Sequence, residues 1–458
     1  MFGNLLLVVL IIAGFGFWLN YRESKRLRAA GQKPLSMDSS YGLYALLMIA
    51  LPSLVFILLW LMAGDYIAQT IMMASLPATA FPAGDVGARS LVLSEIISIS
   101  RGRVFGTPEP FKLEAAQYLL NLQQMSTIVA WVGLGLIAGL TLIISRLRVK
   151  PEFRARTTVE RIIKSLMVIC SLVAILTTIG IIFSLVFESI RFFQRVPFWE
   201  FFLGLNWEPQ IALREDQVGG SGSFGWIPVL VGTIVVTIIA SLIAIPVGIA
   251  TGIYLKEFAS SRVRTILKPI LEVLAGVPTV VYGFFAILTV APALRSTAAS
   301  IGIDAAPNMA LAAGSVMGIM LIPFISSFTD DSLNAVPRGL RDGSFALGAT
   351  QSETVLKVLF PAAIPGIVGG ILLAISRAIG ETMIVVMAAG LIAMMTINPL
   401  DSVTTITVQI VTMLIGDTAF DNPKTLSAFA LGLMLFVVTL ILNVLALRIV
   451  RKYREMYD

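Results

Sequence analysis

Long apolar runs without a charge recur along this chain, and they restrict its fold more than any other feature. About 20 consecutive apolar residues are what an α-helix needs to cross a bilayer. A transmembrane barrel would instead show segments of about ten residues with alternating polarity, and these runs do not alternate. The chain is therefore expected to be all-α, a polytopic membrane protein. Composition agrees, with 57% hydrophobic and only 13% charged residues, where soluble domains carry about 25% charged.

Nine spans can be placed. Residues 2–19 form the first, with no basic residue before it and Arg22, Lys25, Arg26 and Arg28 after it. That order is the reverse of a secretory signal, so a retained helix with its N-terminus outside is expected. The others are 41–62, 126–145, 162–187, 227–255, a span opened by L-A-G-V-P-T-V-V-Y-G-F-F-A, 308–328, 366–395 and 426–450. Basic clusters around Arg146 to Arg156, Lys256 to Lys268 and Arg448 to Arg454 mark the cytoplasmic side and leave the C-terminus inside.

Two outer segments stand out. Between residues 64 and 124, Asp65, Asp85, Glu95, Glu109 and Glu114 balance Arg89, Arg101, Arg103 and Lys112, which fits an external loop with a short interfacial helix. Between 188 and 225, Phe192, Phe193, Phe198, Trp199, Phe201, Phe202 and Trp207 are interleaved with charges. Rings this dense beside a span are expected flat at the headgroups, with ligand stacking as the alternative. Gly219, Gly220, Gly222 and Gly225 then predict a flexible turn.

Several chemistries are excluded. The one cysteine, Cys170, allows no internal disulfide, and without any histidine a zinc or haem site or a His-based catalytic arrangement is not expected. No G-x-x-x-x-G-K-[ST] occurs, so ATP is not cradled by that route. The net charge of +6 lies in short loops that set orientation and does not indicate nucleic acid.

One cytoplasmic loop, about 329–366, departs from the basic bias. Asp330, Asp331, Asp342 and Glu353 outnumber Arg338, Arg341 and Lys357, which suggests a partner. Phe345, Leu347, Leu356 and Leu359 fit two short helices joined near Gly348, where glycine permits a turn that other residues would strain. A plain surface hairpin is the alternative. In the next span, Arg377 costs roughly 2.5–3.5 kcal/mol to bury. Glu381, four residues on, is expected on the same helix face, where the two can pair. The pair either neutralises itself for packing or faces a polar pathway, where arginine can bind a tetrahedral oxyanion bidentately.

The loop carries D-G-S-F-A-L-G at Asp342 to Gly348 and, after nine residues, V-L-F-P at Val358 to Pro361. It resembles the E-A-A-x-x-x-G coupling motif of binding-protein-dependent ABC importer permeases, with Asp342 replacing the glutamate and Gly343 and Ser344 replacing the alanines. The stretch S-R-A-I-G-E-T-M around Arg377 resembles phosphate importer permeases of the PstC type. The sister permease has a related R-x-x-G-E-T that continues A-P, whereas Met383, Ile384 and Val385 follow here.

The resemblance implies a type I ABC importer permease core of six helices over 161–458. Residues 1–160 form an N-terminal extension of three helices outside the resemblance. It implies a non-catalytic subunit of the bacterial inner membrane that moves inorganic phosphate and binds no cofactor or metal. Implied partners are a sister permease in a heterodimer, two cytoplasmic ATPase subunits carrying ATP and magnesium, and an external phosphate-binding protein. Arg377, Glu381 and Thr382 would line the pathway, and Asp342, Gly343, Ser344, Gly348 and Pro361 would receive the ATPase. Sulfate or molybdate as substrate, or an ion-coupled secondary transporter using Arg377 and Glu381 as a proton relay, are the alternatives.

Overall fold

The structure is a computed structural model that describes residues 2–77, 86–103, 108–209, 222–415 and 422–454. Asp85, Gly219 and Gly220 lie outside the described residues. Among those described, nine helices are long and apolar enough to cross a membrane. The chain divides into two compact units, Met1–Leu176 and Thr177–Asp458.

In the first unit, α1 (Phe2–Ala29), α2 (Asp38–Ala74) and α4 (Pro110–Leu147) pack through small residues. A Cβ at Gly16 would lie 2.4 Å from Ile49, and one at Gly133 would lie 2.5 Å from the ring of Phe56. Close approach at glycine is how membrane helices gain contact, because lipid offers no hydrophobic drive between them. Polar contacts fasten one end: Tyr41 donates to the Phe153 carbonyl at 2.9 Å, and Asp38 takes both Ser24 and Arg28.

The stretch expected as an external loop is instead mostly helix. α2 runs on to Ala74, α3 spans Val86–Ser100, and α4 begins at Pro110. Ala68, Met72, Val92, Ile96, Ala115 and Leu119 form a buried cluster there, and Lys112 pairs with Glu95 at 2.7 Å. The two buried residues of α3, Val92 and Ile96, are four apart and so lie on one face of the helix.

The second unit is built on α7 (Ile227–Ile253, continued by a π-helical turn over Tyr254–Phe258) and α11 (Ala310–Ala335). They run side by side in the same direction, Gly314 against Ile239, Gly248 against Ile325 and Gly252 against Thr329. Each added Cβ there would come within 2.7 Å of the facing side chain, so the two backbones lock at glycine. Connecting them are α8 (Ser261–Ala275), α9 (Thr279–Phe285) and α10 (Ala291–Ser300).

Two expectations for this unit are overturned. The outer aromatics do not all lie flat at the headgroups. α5 (Ala155–Phe193), α6 (Phe198–Leu203) and a two-stranded ribbon, β1 (Trp207–Glu208) with β2 (Ser223–Phe224), bring Phe192, Phe201, Trp207 and Phe224 into a buried cluster. Leu426, Ala430 and Leu431 close it, and the Trp207 indole donates to Gln409 at 2.9 Å. Phe198 and Trp199 remain exposed.

The second correction concerns the span expected over 366–395. Its helix starts at Gln351 and ends at Ile379. Beyond Gly380 come a short α15 (Met383–Ala388), extended chain, and α16 (Ile406–Leu414). The extended backbone is not bare. Ala389 O accepts from Val403 N, Ala388 O from Met309 N, and Pro399 O from Leu311 N. Irregular backbone in a membrane protein is tolerated where protein neighbours satisfy it, as they do here. The last helix, α17 (Pro423–Arg454), packs on α14 (Phe360–Ile379), where Gly369 meets Val450.

Candidate functional site

The loop between α11 and α14 folds as the sequence predicts, into two short helices about Gly348. α12 (Arg338–Ala346) follows Pro337, and α13 (Gln351–Thr354) starts at a capping box made by Thr350 and Glu353. Gly348 has φ +85°, with its N–H bonded to Phe345 O and the next N–H to Ser344 O. This left-handed residue is what ends α12, and glycine adopts it without penalty. The Ser344 and Thr354 hydroxyls meet at 2.9 Å, so a buried hydrogen bond holds the two arms together.

The outer surface of the loop is open. Asp342, Gly343, Gly348 and Pro361 are exposed, and a Cβ at Gly343 or Gly348 would meet nothing within 4 Å. Phe345 and Leu356 are also exposed, and Leu347 at the tip is 90% exposed.

Part of the charge imbalance of the loop is met within the chain itself. Asp330 is buried within the unit and takes Arg264 at 3.0 Å and Lys268 at 2.7 Å, both from α8. Glu353 is engaged by its cap and by Lys357. Two of the four acids therefore have partners within this chain. The roots of the loop are tied as well: Arg341 pairs with Glu257, Gln351 donates to the Glu257 carbonyl, and Lys256 donates to Asn334.

Arg377 and Glu381 do not share a helical face. Arg377 lies in the last turn of α14, and Gly380 ends that helix before Glu381. The guanidinium lies 4.5 Å over the ring of Phe324 and makes no ion pair among the described residues. Phe324 is near the middle of the 26-residue α11, six residues before Asp330, so Arg377 is level with the middle of that helix although its own helix ends there. Glu381 turns away, accepting from Met383 N at 3.0 Å, while its carbonyl accepts from Thr407 at 2.8 Å. Thr382 precedes α15 and is half-buried.

Phe324 also lines a cavity of about 400 Å³ between α8 and α11, with Lys268, Glu272, Ser327, Asp330 and Asp331 on its walls. Sequence reasoning passed over Phe324 because nothing local distinguishes it from a packing residue. Glu257 carried a signal, an acid at the end of an apolar span beside a cytoplasmic basic cluster.

Two family models match the chain. One described as a phosphate ATP-binding cassette transporter covers residues 6–177. One described as a binding-protein-dependent transport system inner membrane component covers residues 244–455. The first falls on the extension that the resemblance had left aside. Among curated relatives, the probable ABC transporter permease protein YqgH of Bacillus subtilis is 31% identical over 59% of this chain and 84% of that protein. The phosphate transport system permease protein PstC of Mesorhizobium japonicum is 33% identical over 49% of this chain and 72% of that protein. PstC 1 of Mycobacterium tuberculosis is 30% identical over 55% of this chain and 81% of that protein.

Proposed function

Because the chain belongs to the ABC transporter permeases of the PstC type, we propose that it is the subunit through which an ATP-driven importer moves inorganic phosphate, with Arg377 contacting the anion. It is a multi-pass protein of the inner membrane. The observation that carries the role of Arg377 is its guanidinium, held over Phe324 near the middle of α11 and without an ion pair among the described residues. Arg377 is exposed on the surface of this chain, and a charge held within a bilayer without a counter-ion costs several kcal/mol unless something compensates it. A tetrahedral oxyanion supplies that compensation, and its paired oxygens match the guanidinium fork.

The Glu381 carboxylate is occupied at the start of α15, which leaves the arginine available. A proton relay from Arg377 to Glu381 loses its support for the same reason. ATP and magnesium belong to two copies of a cytoplasmic ATPase, which docks on Asp342, Gly343, Gly348, Pro361 and the exposed apolar side chains around them, while Ser344 is buried behind that surface and holds its two arms together. A sister permease completes the pathway, and an external binding protein delivers phosphate.

Uptake of labelled phosphate by the complex reconstituted in liposomes tests this. Uptake should require ATP inside and persist in excess sulfate. Uptake without ATP would exclude the ATP-driven importer, and suppression by sulfate or molybdate would assign another oxyanion.

A further inference from the structure

The loop and Arg377 are connected by continuous backbone, since α13 runs through a π-helical turn into α14. A second connection is visible that does not follow the chain. Glu257 lies at the inner end of the α7 span, and its side chain is only 5% exposed. Its carboxylate takes Arg341 from α12, and its carbonyl accepts from Gln351 of α13. Both arms of the hinge at Gly348 are thus fastened to one residue. Beside it, Lys256 donates to Asn334 near the end of α11.

We propose that Glu257 is a positioning residue for coupling: it transfers movement of the ATPase-docking loop to the α7–α11 pair and, through Phe324, to Arg377. The proposal rests on the docking of the ATPase described above. Its physical basis is a chain of stiff contacts. Sliding of α7 past α11 would lift Ile325 out of the notch at Gly248 and Thr329 out of the notch at Gly252, with loss of that close packing. Close-packed helices of this kind move as a body, because packed interiors transmit displacement instead of absorbing it. A pull on Glu257 therefore reaches α11, and α11 carries the ring on which Arg377 rests. Movement along α14 alone would shift the guanidinium relative to Phe324. Movement of both routes together carries the arginine and its platform as one.

A staple that merely stabilises the loop would have the same contacts, so the test must read coupling. The complex of this chain with its sister permease and ATPase is reconstituted, and labelled phosphate moved per ATP hydrolysed is measured. In Glu257→Gln, which keeps the volume and removes the charge, the ATPase should stay bound and hydrolyse ATP. The phosphate moved per ATP should fall roughly three- to tenfold, the size of effect that a residue in a coupling network produces. Exchanging the charges, Glu257→Arg with Arg341→Glu, should restore more than half of the ratio.

An unchanged ratio in Glu257→Gln, or a fall that the assembled exchange variant does not repair, would overturn the proposal. If the exchange variant does not assemble, Arg341→Gln decides, since it must reproduce the loss of Glu257→Gln. Failure of the ATPase to bind the wild-type complex would remove the docking surface itself, and this proposal with it.

Discussion

The guanidinium of Arg377 rests 4.5 Å over the ring of Phe324, and this contact joins the end of one helix to the middle of another. It replaces the Arg377–Glu381 pair that four-residue spacing predicts. A ring face attracts a guanidinium without neutralising it, at about 0.5–2 kcal/mol. A carboxylate would hold the charge more firmly and compete with an incoming anion. The platform is therefore suited to a cation that must bind and then release its ligand.

Replacing Phe324 separates the ring from its bulk. Phe324→Leu keeps an apolar side chain and removes the ring face, whereas Phe324→Tyr keeps the face. The Leu variant should raise the phosphate concentration for half-maximal uptake by about threefold to thirtyfold, the equivalent of a lost cation–π contact. The Tyr variant should stay near wild type. Concentration-dependent uptake by the reconstituted complex distinguishes them, and equal values for Leu and Tyr would mean that the ring contact is incidental.

At Gly348 the conformation matters more than the space. The residue sits at φ +85° with nothing near its would-be Cβ, so no clash limits a replacement. Left-handed backbone costs a non-glycine residue about 1–2 kcal/mol, and asparagine tolerates it best. Gly348→Val should therefore release the ATPase during purification of the complex, while Gly348→Asn should retain most of it. Normal ATPase yield with the valine variant would count against the loop as docking surface.

Gly252 tests the packing of α7 on α11. A Cβ there would lie 2.7 Å from Thr329 Cβ and 2.8 Å from the Ser326 carbonyl, which is backbone and cannot turn aside. Overpacking of this kind costs about 1–3 kcal/mol. Gly252→Val should lower the thermal midpoint of the purified complex, while Gly339→Ala, with open space around it, should leave that midpoint unchanged. Equal midpoints for the two variants would show that the helices can separate freely.

The spans and the hinged loop were legible because their signals are local. Apolar length marks a membrane helix, and a glycine between short amphipathic segments marks the turn at Gly348. The break after Gly380 was not legible. Met383 to Met395 is apolar enough to extend the helix, and only distant partners such as Met309, Leu311 and Val403 satisfy the backbone that leaves it. The burial of Phe192 and Phe201 depends likewise on Leu426 and Leu431, more than two hundred residues away in the chain. Asp330 reads in the sequence as one of the loop's acids because its partners, Arg264 and Lys268, lie more than sixty residues upstream.

Arg377→Gln is the most direct test of the central claim. The substitution removes the charge and the bidentate fork, and hydrogen bonds to a charged group contribute about 1.5–3 kcal/mol. In the assembled complex, ATP-driven uptake of labelled phosphate should fall by at least about tenfold, toward a hundredfold or more. The ATPase should remain bound and active, because Arg377 lies a helix length away from the loop. Wild-type uptake by a well-expressed, fully assembled Arg377→Gln complex would contradict the account.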